Sequence, residues 1–216
     1  MPQLMNGLAP NTAAIFDAIS RLDCIKDYVL IGGTALSLQI GTRMSEDLDF
    51  MSWCSQKDDK REVDWPAIKK DLETIGTIEH CDILGLEHVE FLLSGVKISF
   101  YVSPNRSPLN ESVITINNLR IADKLAIGAM KIEVMLRRST FRDYYDIYSL
   151  IEDGQDLRSM IELAAKYSGH RFKTKNILAI LTSGDRFMPD SKFAGLNPIY
   201  NVTAKDIEHR IIAALR

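Results

Sequence analysis

Residues 29–53 read VLIGGTALSLQIGTRMSEDLDFMSW, and this stretch decides the fold that we expect. An apolar run at 28–31 predicts a short buried strand, which ends at Gly32 and Gly33. A helix is predicted to begin directly at the glycines, and the alternation of polar and apolar residues at 47–51 predicts a second strand. Strand, glycine turn, helix and strand in this order indicate an α/β unit.

The two glycines are suited to binding an anion. A strand that turns through Gly32 and Gly33 into a helix leaves backbone N–H groups at the helix N-terminus, where a phosphate group can bind. Glycine lets a phosphate approach the backbone closely, and Thr34 could add a hydroxyl group. A tight turn without any ligand explains the same residues, so the glycines alone do not define a site.

Asp47 and Asp49 provide a more specific signal. Residues i and i+2 of a strand point to the same face, so the two carboxylates are expected side by side, with Leu48 and Phe50 facing the core. Such close carboxylates repel each other unless a cation lies between them. Hard oxygen ligands suit Mg²⁺ or Mn²⁺, and two such ions could polarise nucleotide phosphates and activate an attacking hydroxyl. An exposed strand end with two ordinary acids is the alternative.

Outside this stretch, the chain divides into two parts of different character. Helices at 11–22 and 65–76 and a hairpin at 88–102 complete the N-terminal part. The loop-like segment 103–112 follows, and beyond it we predict only helices, at 119–138, 142–151, 156–167, 174–182 and 203–215. We therefore expect an α/β domain at 1–110 and a helical domain at 111–216.

A second group of charged residues lies within 119–151. Its basic members are Lys124, Lys131, Arg137, Arg138 and Arg142. Lys124 and Lys131 are seven residues apart and share one helix face, and Asp143 and Asp146 are neighbours on one face of the next helix. From spacing alone, a pair of solvated charged helices explains this group equally well.

The overall composition is that of an ordinary globular protein. The 216 residues are 46% hydrophobic and 25% charged, with a net charge of −3, which argues against binding to nucleic acid through bulk positive charge. The sequence contains neither a membrane-spanning run nor a signal peptide, and its three cysteines have no CxxC spacing. We expect a cytoplasmic protein with free thiols and no membrane partner.

The glycine pair, the helix and Asp47-Leu48-Asp49 together resemble the signature of DNA polymerase β-type nucleotidyltransferases. The longer string GGTALSLQIGTRMSEDLDF is similar, more narrowly, to AbiEii/AbiGii-type toxin nucleotidyltransferases, in which an Arg-x-Ser precedes the acidic pair, as Arg43 and Ser45 do here. The resemblance implies an α+β fold: an N-terminal domain with a small mixed sheet and flanking helices, followed by a C-terminal helical bundle.

The resemblance also implies roles for individual residues. Lys124 and Asp146 match positions linked to activity in the family, and the helical domain would bring both to the cleft, where Lys124 would neutralise triphosphate charge. Asp47 and Asp49 would be the catalytic metal ligands. The expected nucleotide-binding residues are Gly32, Gly33, Thr34, Arg43, Ser45, Lys131, Arg142 and Asp143.

The activity that the resemblance implies is transfer of a nucleoside monophosphate, or a short nucleotide tail, from an NTP with Mg²⁺ or Mn²⁺. The family points to RNA, and to tRNA 3′ ends especially, as the acceptor, and to a separately encoded antitoxin. Arg137, Arg138 and Arg142 would then contact acceptor phosphates. Two alternatives stay open: a nucleotidyltransferase acting on a protein or small molecule, and a degenerate domain that binds nucleotide without chemistry.

The chain departs from the polymerase β-type pattern at one position. These enzymes usually add a third carboxylate from a later strand, and the alternation along 96–101 places Ser99 at that position. Serine is a poor Mg²⁺ ligand and a poor general base at neutral pH. Asp146 is the first candidate to replace the missing acid, and Glu90 on the preceding strand is the second.

Overall fold

The structure, a computed structural model, describes residues 4–54, 61–104, 106–109, 114–168 and 173–216. The chain divides into two compact units, Met1–Asp123 and Lys124–Arg216. The first unit is organised around a β-sheet and the second consists of helices. Within the described ranges, no helix is both long and apolar enough to span a bilayer.

The N-terminal unit contains a seven-stranded mixed sheet with the strand order β3-β4-β5-β2-β1-β7-β6. Its strands are β1 (Val29–Ile31), β2 (Leu48–Trp53), β3 (Ile78–Gly85), β4 (His88–Leu93), β5 (Val96–Ser103), β6 (Ile114–Ile116) and β7 (Leu119–Ile121). The helices are α1 (Pro10–Ser20), α2 (Gly32–Ile40) and α3 (Trp65–Leu72). β2 lies at the centre, antiparallel to β1 and parallel to β5.

The central strands have one apolar and one polar face. Leu48 and Phe50 of β2 are almost fully buried, and the Phe50 ring stacks on Phe100 of β5 with 5.0 Å between ring centroids. Asp49, between Leu48 and Phe50, is partly exposed and lies on the opposite face. β4 has the same alternation of buried and partly exposed residues. The apolar face therefore forms the core, and the polar face is left for polar and charged groups.

The C-terminal unit is a bundle of five α-helices among the described residues. They are α4 (Lys124–Met135), α5 (Phe141–Glu152), α6 (Leu157–Tyr167), α7 (Thr174–Leu181) and α8 (Ala204–Ala214). Two of the helices have capped N-termini: Asp156 accepts hydrogen bonds from two backbone N–H groups of α6, and Thr203 and Asp206 form a capping box at α8. The fold class expected from the sequence, an α+β domain followed by a helical bundle, is confirmed.

Three strands were not predicted, and one of them corrects a predicted helix. The helix expected from residue 119 begins at Lys124, because Leu119–Ile121 forms β7 and pairs with β1. β3 and β6 are the other additions. Part of the segment 103–112, where the domain boundary was predicted, lies outside the described residues. The boundary after residue 110 stays a prediction.

Candidate active site

Asp49 occupies the centre of the sheet. Its Cα lies opposite Ile31 of β1 on one side and Ser99 of β5 on the other. Asp47 precedes β2, and both aspartates are partly exposed on either side of the fully buried Leu48. Ser99 is 8% exposed, and its hydroxyl donates a hydrogen bond to Asp49 Oδ1 at 2.7 Å. Asp49 is therefore held in place by the neighbouring strand.

The glycine turn packs directly against the acidic strand. Gly32 has a φ of +72°, a conformation that favours glycine, and a Cβ added there would lie 2.8 Å from Asp49 Oδ2. A Cβ on Gly33 would lie 2.7 Å from Arg43 Nη2 and 3.0 Å from Ser45 Oγ. Both glycines are thus needed to make room for side chains of the site itself. This gives a second physical reason for the Gly-Gly pair, beside the close approach of a phosphate.

The remaining predicted residues of this unit shape the loop that leads to Asp47. Thr34 is 1% exposed, and its hydroxyl donates a hydrogen bond to the backbone carbonyl of Asp47. Arg43 is 3% exposed and donates to the carbonyl of Met44 at 2.9 Å. Ser45 is also buried, and its backbone N–H donates to the carbonyl of Gly7. The structure therefore brings Gly32, Gly33, Thr34, Arg43, Ser45, Asp47 and Asp49 together in one region.

A second group of predicted residues forms a buried ionic network in the helical unit. Lys131 Nζ lies 2.9 Å from Asp143 Oδ1 and 2.6 Å from Asp146 Oδ2. Thr140 Oγ1 and Arg138 Nε donate to Asp143 Oδ2 at 2.5 Å and 3.3 Å. Asp143 is 1% exposed and Asp146 is 0% exposed. Burial raises the pKa of Asp143, but Lys131, Thr140 and Arg138 outweigh it and hold that pKa at about 2.

Lys124 and Arg142 have separate acidic partners. Lys124, the first residue of α4, forms an ion pair with Asp153 at 2.6 Å. Arg142 pairs with Asp190 at 2.9 Å, and both of these side chains are less than one quarter exposed. The predicted site residues of the helical unit thus lie in three ionic groups, and their roles in catalysis and nucleotide binding stay predictions.

Arg186 lies near Arg137 and Arg138, and the sequence did not predict this. A surface cavity of about 320 Å³ is lined by Arg137, Arg138 and Arg186, with Tyr144 and Met188 among its other lining residues. Arg137 and Arg138 are 70% and 62% exposed, although each also has an acidic neighbour. Arg186 is exposed as well. It stands alone in its part of the sequence, so no local pattern could have joined it to the other two arginines.

Two solved structures have a fold similar to that of this chain. MenT4, a nucleotidyltransferase toxin from Mycobacterium tuberculosis, aligns with 99% of this chain and 81% of its own, with a TM-score of 0.59 and 16% identity. JHP933 from Helicobacter pylori aligns with 96% of this chain and 93% of its own, with a TM-score of 0.54 and 18% identity. At these identities the likeness concerns the fold.

The family follows from the sequence comparison. The model of the family described as nucleotidyl transferase AbiEii toxin, type IV TA system, matches residues 14–207. The chain therefore belongs to the AbiEii nucleotidyltransferase toxin family, which confirms the resemblance seen in the glycine and Asp-x-Asp motifs. An uncharacterized protein from Aquifex aeolicus (strain VF5) is 28% identical over 165 residues, which cover 75% of this chain and 76% of the relative.

Proposed function

We propose that this chain is a metal-dependent nucleotidyltransferase that moves a nucleoside monophosphate, or a short nucleotide tail, from an NTP to RNA, with tRNA as the first candidate acceptor. It would act in the cytoplasm as a toxin whose partner is a separately encoded antitoxin. The observation that carries the proposal is the packing of Gly32 against Asp49, which is so close that a Cβ added to Gly32 would lie 2.8 Å from Asp49 Oδ2. This packing puts an acidic strand beside the N-terminus of α2, so a phosphate group and a metal ion could bind next to each other there.

The donor atoms of this region fit a nucleotide-bound Mg²⁺ or Mn²⁺ ion. Asp47 and Asp49 offer carboxylate oxygens, which these hard cations prefer. The described part of the chain has no cluster of three or more His, Cys, Asp or Glu side chains that could hold an ion by itself. This agrees with Mg²⁺ chemistry, because Mg²⁺ is usually bound by one or two carboxylates together with substrate phosphates and water. The bound ion would neutralise charge that develops on the triphosphate.

Some residues of the chain would then bind the nucleotide, and others would keep the binding site in shape. The backbone N–H groups that begin α2 at Gly32 and Gly33 would donate hydrogen bonds to phosphate oxygens, and the helix dipole would favour the negative charge of the phosphate. Arg43 and Ser45 pack against Gly33 and would keep the turn in the shape that this contact needs. Lys124, at the start of α4, is proposed to bind the triphosphate. To do so, it would have to leave its ion pair with Asp153.

The acceptor is proposed to be an RNA because the helical unit has an exposed arginine cluster. Arg137, Arg138 and Arg186 surround one cavity, and guanidinium groups bind phosphate through two hydrogen bonds. The net charge of the whole chain is −3, so this local cluster stands out against an acidic background.

Ser99 supports a second candidate function. A domain that holds a serine against Asp49, at 2.7 Å, could keep its nucleotide pocket and lack the transfer reaction. Such a domain would bind NTP and a partner and would release no pyrophosphate. The two candidates differ in one measurable product, the covalently labelled acceptor.

The test is incubation of the purified protein with total tRNA, Mg²⁺ or Mn²⁺, and each α-labelled NTP in turn. Label that moves onto tRNA from one preferred NTP would support the proposal and identify the donor. Label that moves onto protein instead would point to a different acceptor class. Nucleotide binding without any transfer, over all four NTPs and both metals, would favour the degenerate domain.

A further inference from the structure

The register of the sheet places a row of polar residues across four strands. Asp49 of β2 lies opposite Ser99 of β5, Ser99 lies opposite Glu90 of β4, and Glu90 lies opposite Asp82 of β3. Directly opposed residues in a sheet project from the same face, with their Cβ atoms ~5 Å apart. Glu90 is therefore the next carboxylate after Asp49 in this row, with one serine between them. Asp82 lies one strand further away.

A transfer reaction requires a group that takes the proton of the attacking hydroxyl. Asp47 and Asp49 are committed to the metal in the proposed function, and a ligating carboxylate has little basicity left. Ser99 Oγ donates to Asp49 and is not a base at neutral pH. Asp146 is 0% exposed, so its carboxylate is inaccessible to an acceptor hydroxyl. Glu90 lies on the Asp49 face and is partly exposed, and it is one strand nearer to Asp49 than Asp82 is.

Glu90 is accessible and lies beside two basic side chains of the same sheet face. Its side chain is 27% exposed, and its Oε1 lies 3.6 Å from Lys97 Nζ and 3.4 Å from His88 Nε2. Both partners are themselves at least one third exposed and lie on the same sheet face. Glutamate is one methylene longer than aspartate, so its carboxylate can reach toward the space above Ser99.

Resting on the proposed function, we infer that Glu90 is the general base of the transfer, acting across the short side chain of Ser99. The acceptor's O–H bond breaks and its proton moves to the Glu90 carboxylate. The freed oxygen forms a bond to the α-phosphorus of the NTP. The bond from that phosphorus to the bridging oxygen breaks, its electron pair stays on the leaving pyrophosphate, and one nucleoside monophosphate remains on the acceptor.

The experiment compares four full-length variants with the wild type: Glu90→Gln, Asp82→Asn, Asp49→Asn and the double variant Glu90→Gln/Ser99→Asp. Single-turnover transfer of labelled NMP to total tRNA is measured for each. Mn²⁺ binding in the presence of a non-hydrolysable NTP analogue, by calorimetry, and thermal melting are measured in parallel. Asp82→Asn is the matched control, since it removes the charge of the next carboxylate in the same row.

Glu90→Gln is expected to slow transfer ~100-fold, the lower end of the range for a lost general base, with wild-type melting and Mn²⁺ affinity. Asp82→Asn should stay within twofold of the wild-type rate. The double variant should transfer NMP at least tenfold faster than Glu90→Gln, because an aspartate at residue 99 puts a carboxylate beside Asp49. Asp49→Asn should lose both transfer and Mn²⁺ affinity.

The inference, but not the proposed function, would be overturned by a wild-type rate in Glu90→Gln, by an equal loss in Asp82→Asn, or by a Mn²⁺ affinity of Glu90→Gln as low as that of Asp49→Asn. The last result would make Glu90 a ligand and not a base. A double variant that melts like the wild type yet stays as slow as Glu90→Gln would also overturn it. If the wild-type protein transfers no label, the proposed function fails first and this inference fails with it.

Discussion

At the scale of single residues, the site depends on a glycine as much as on its charged side chains. Gly32 adopts a φ of +72°, and any Cβ there would press on Asp49 Oδ2. The sequence alone suggested glycine for phosphate approach. It could not show the contact with Asp49, because that contact depends on how β1 and β2 pair, which is a property of the folded sheet.

Gly32→Ala should reduce both stability and activity. The left-handed conformation costs a non-glycine residue ~1–2 kcal/mol, and the new methyl group would displace the Asp49 carboxylate. Gly41→Ala is the control, since Gly41 ends the same helix at a φ of +61° and its nearest contact for an added Cβ is 4.0 Å away. Urea unfolding should show similar losses for both variants, and transfer assays a large loss for Gly32→Ala only. Equal transfer rates in the two variants would remove Gly32 from the site.

Asp143 makes the helical unit sensitive to acid. Its pKa is held at about 2, below the ordinary 3.8, so the unfolded chain binds its proton first as the pH falls. The stabilisation is complete at neutral pH, ~2 kcal/mol, and is lost as the pH falls from about 4 to about 2. Asp143→Asn should therefore be less stable than the wild type at pH 7, and the difference should narrow below pH 4. A difference that is the same at pH 7 and pH 3, by urea unfolding, would mean that the Lys131 network does not stabilise the ionised form.

At the scale of elements, the strength of the local signal decided what could be predicted. The strand, glycine turn, helix and strand over 29–53 each have a clear start or stop signal, and the structure has them as predicted. β3 is mostly exposed and shows no two-residue alternation of burial, so residues 78–85 carry no strand period that could predict it. β6 and β7 have three residues each, and they exist because β7 pairs with β1. The row from Asp49 to Glu90 likewise depends on strand order, which no local pattern encodes.

The contact between α4 and α6 is the clearest case of a helix interface that needs a small residue. A Cβ on Gly128 would lie 2.9 Å from Met160 Cγ and 3.2 Å from Leu150 Cδ1, and Met160 is fully buried. Gly128→Ala should therefore destabilise the protein by ~1–3 kcal/mol through overpacking, although alanine is the better helix former. Gly195→Ala, where an added Cβ meets nothing within 4 Å, should change stability little. A stabilised Gly128→Ala protein, by thermal melting, would show that the two helices can separate without cost.

At the scale of the whole molecule, the chain joins a sheet-based unit with paired carboxylates to a helical unit with a buried ionic network and exposed arginines. The chain belongs to the AbiEii nucleotidyltransferase toxin family, and its fold is similar to that of a solved nucleotidyltransferase toxin. The sequence identified both charged groups because each lies in a continuous stretch. Arg186 and the Ser99–Asp49 hydrogen bond became visible only once distant parts of the chain were brought together.

We propose that Asp49 belongs to a metal-assisted transfer site, so the transfer rate of Asp49→Asn is the decisive measurement. Asparagine keeps the shape of the side chain and the hydrogen bond with Ser99 but removes the charge that a divalent cation needs. We predict that Asp49→Asn melts within a few degrees of the wild type and transfers labelled NMP to tRNA at least ~1,000-fold more slowly. A folded Asp49→Asn protein with the wild-type transfer rate would contradict the account, because the acidic strand would then take no part in the reaction.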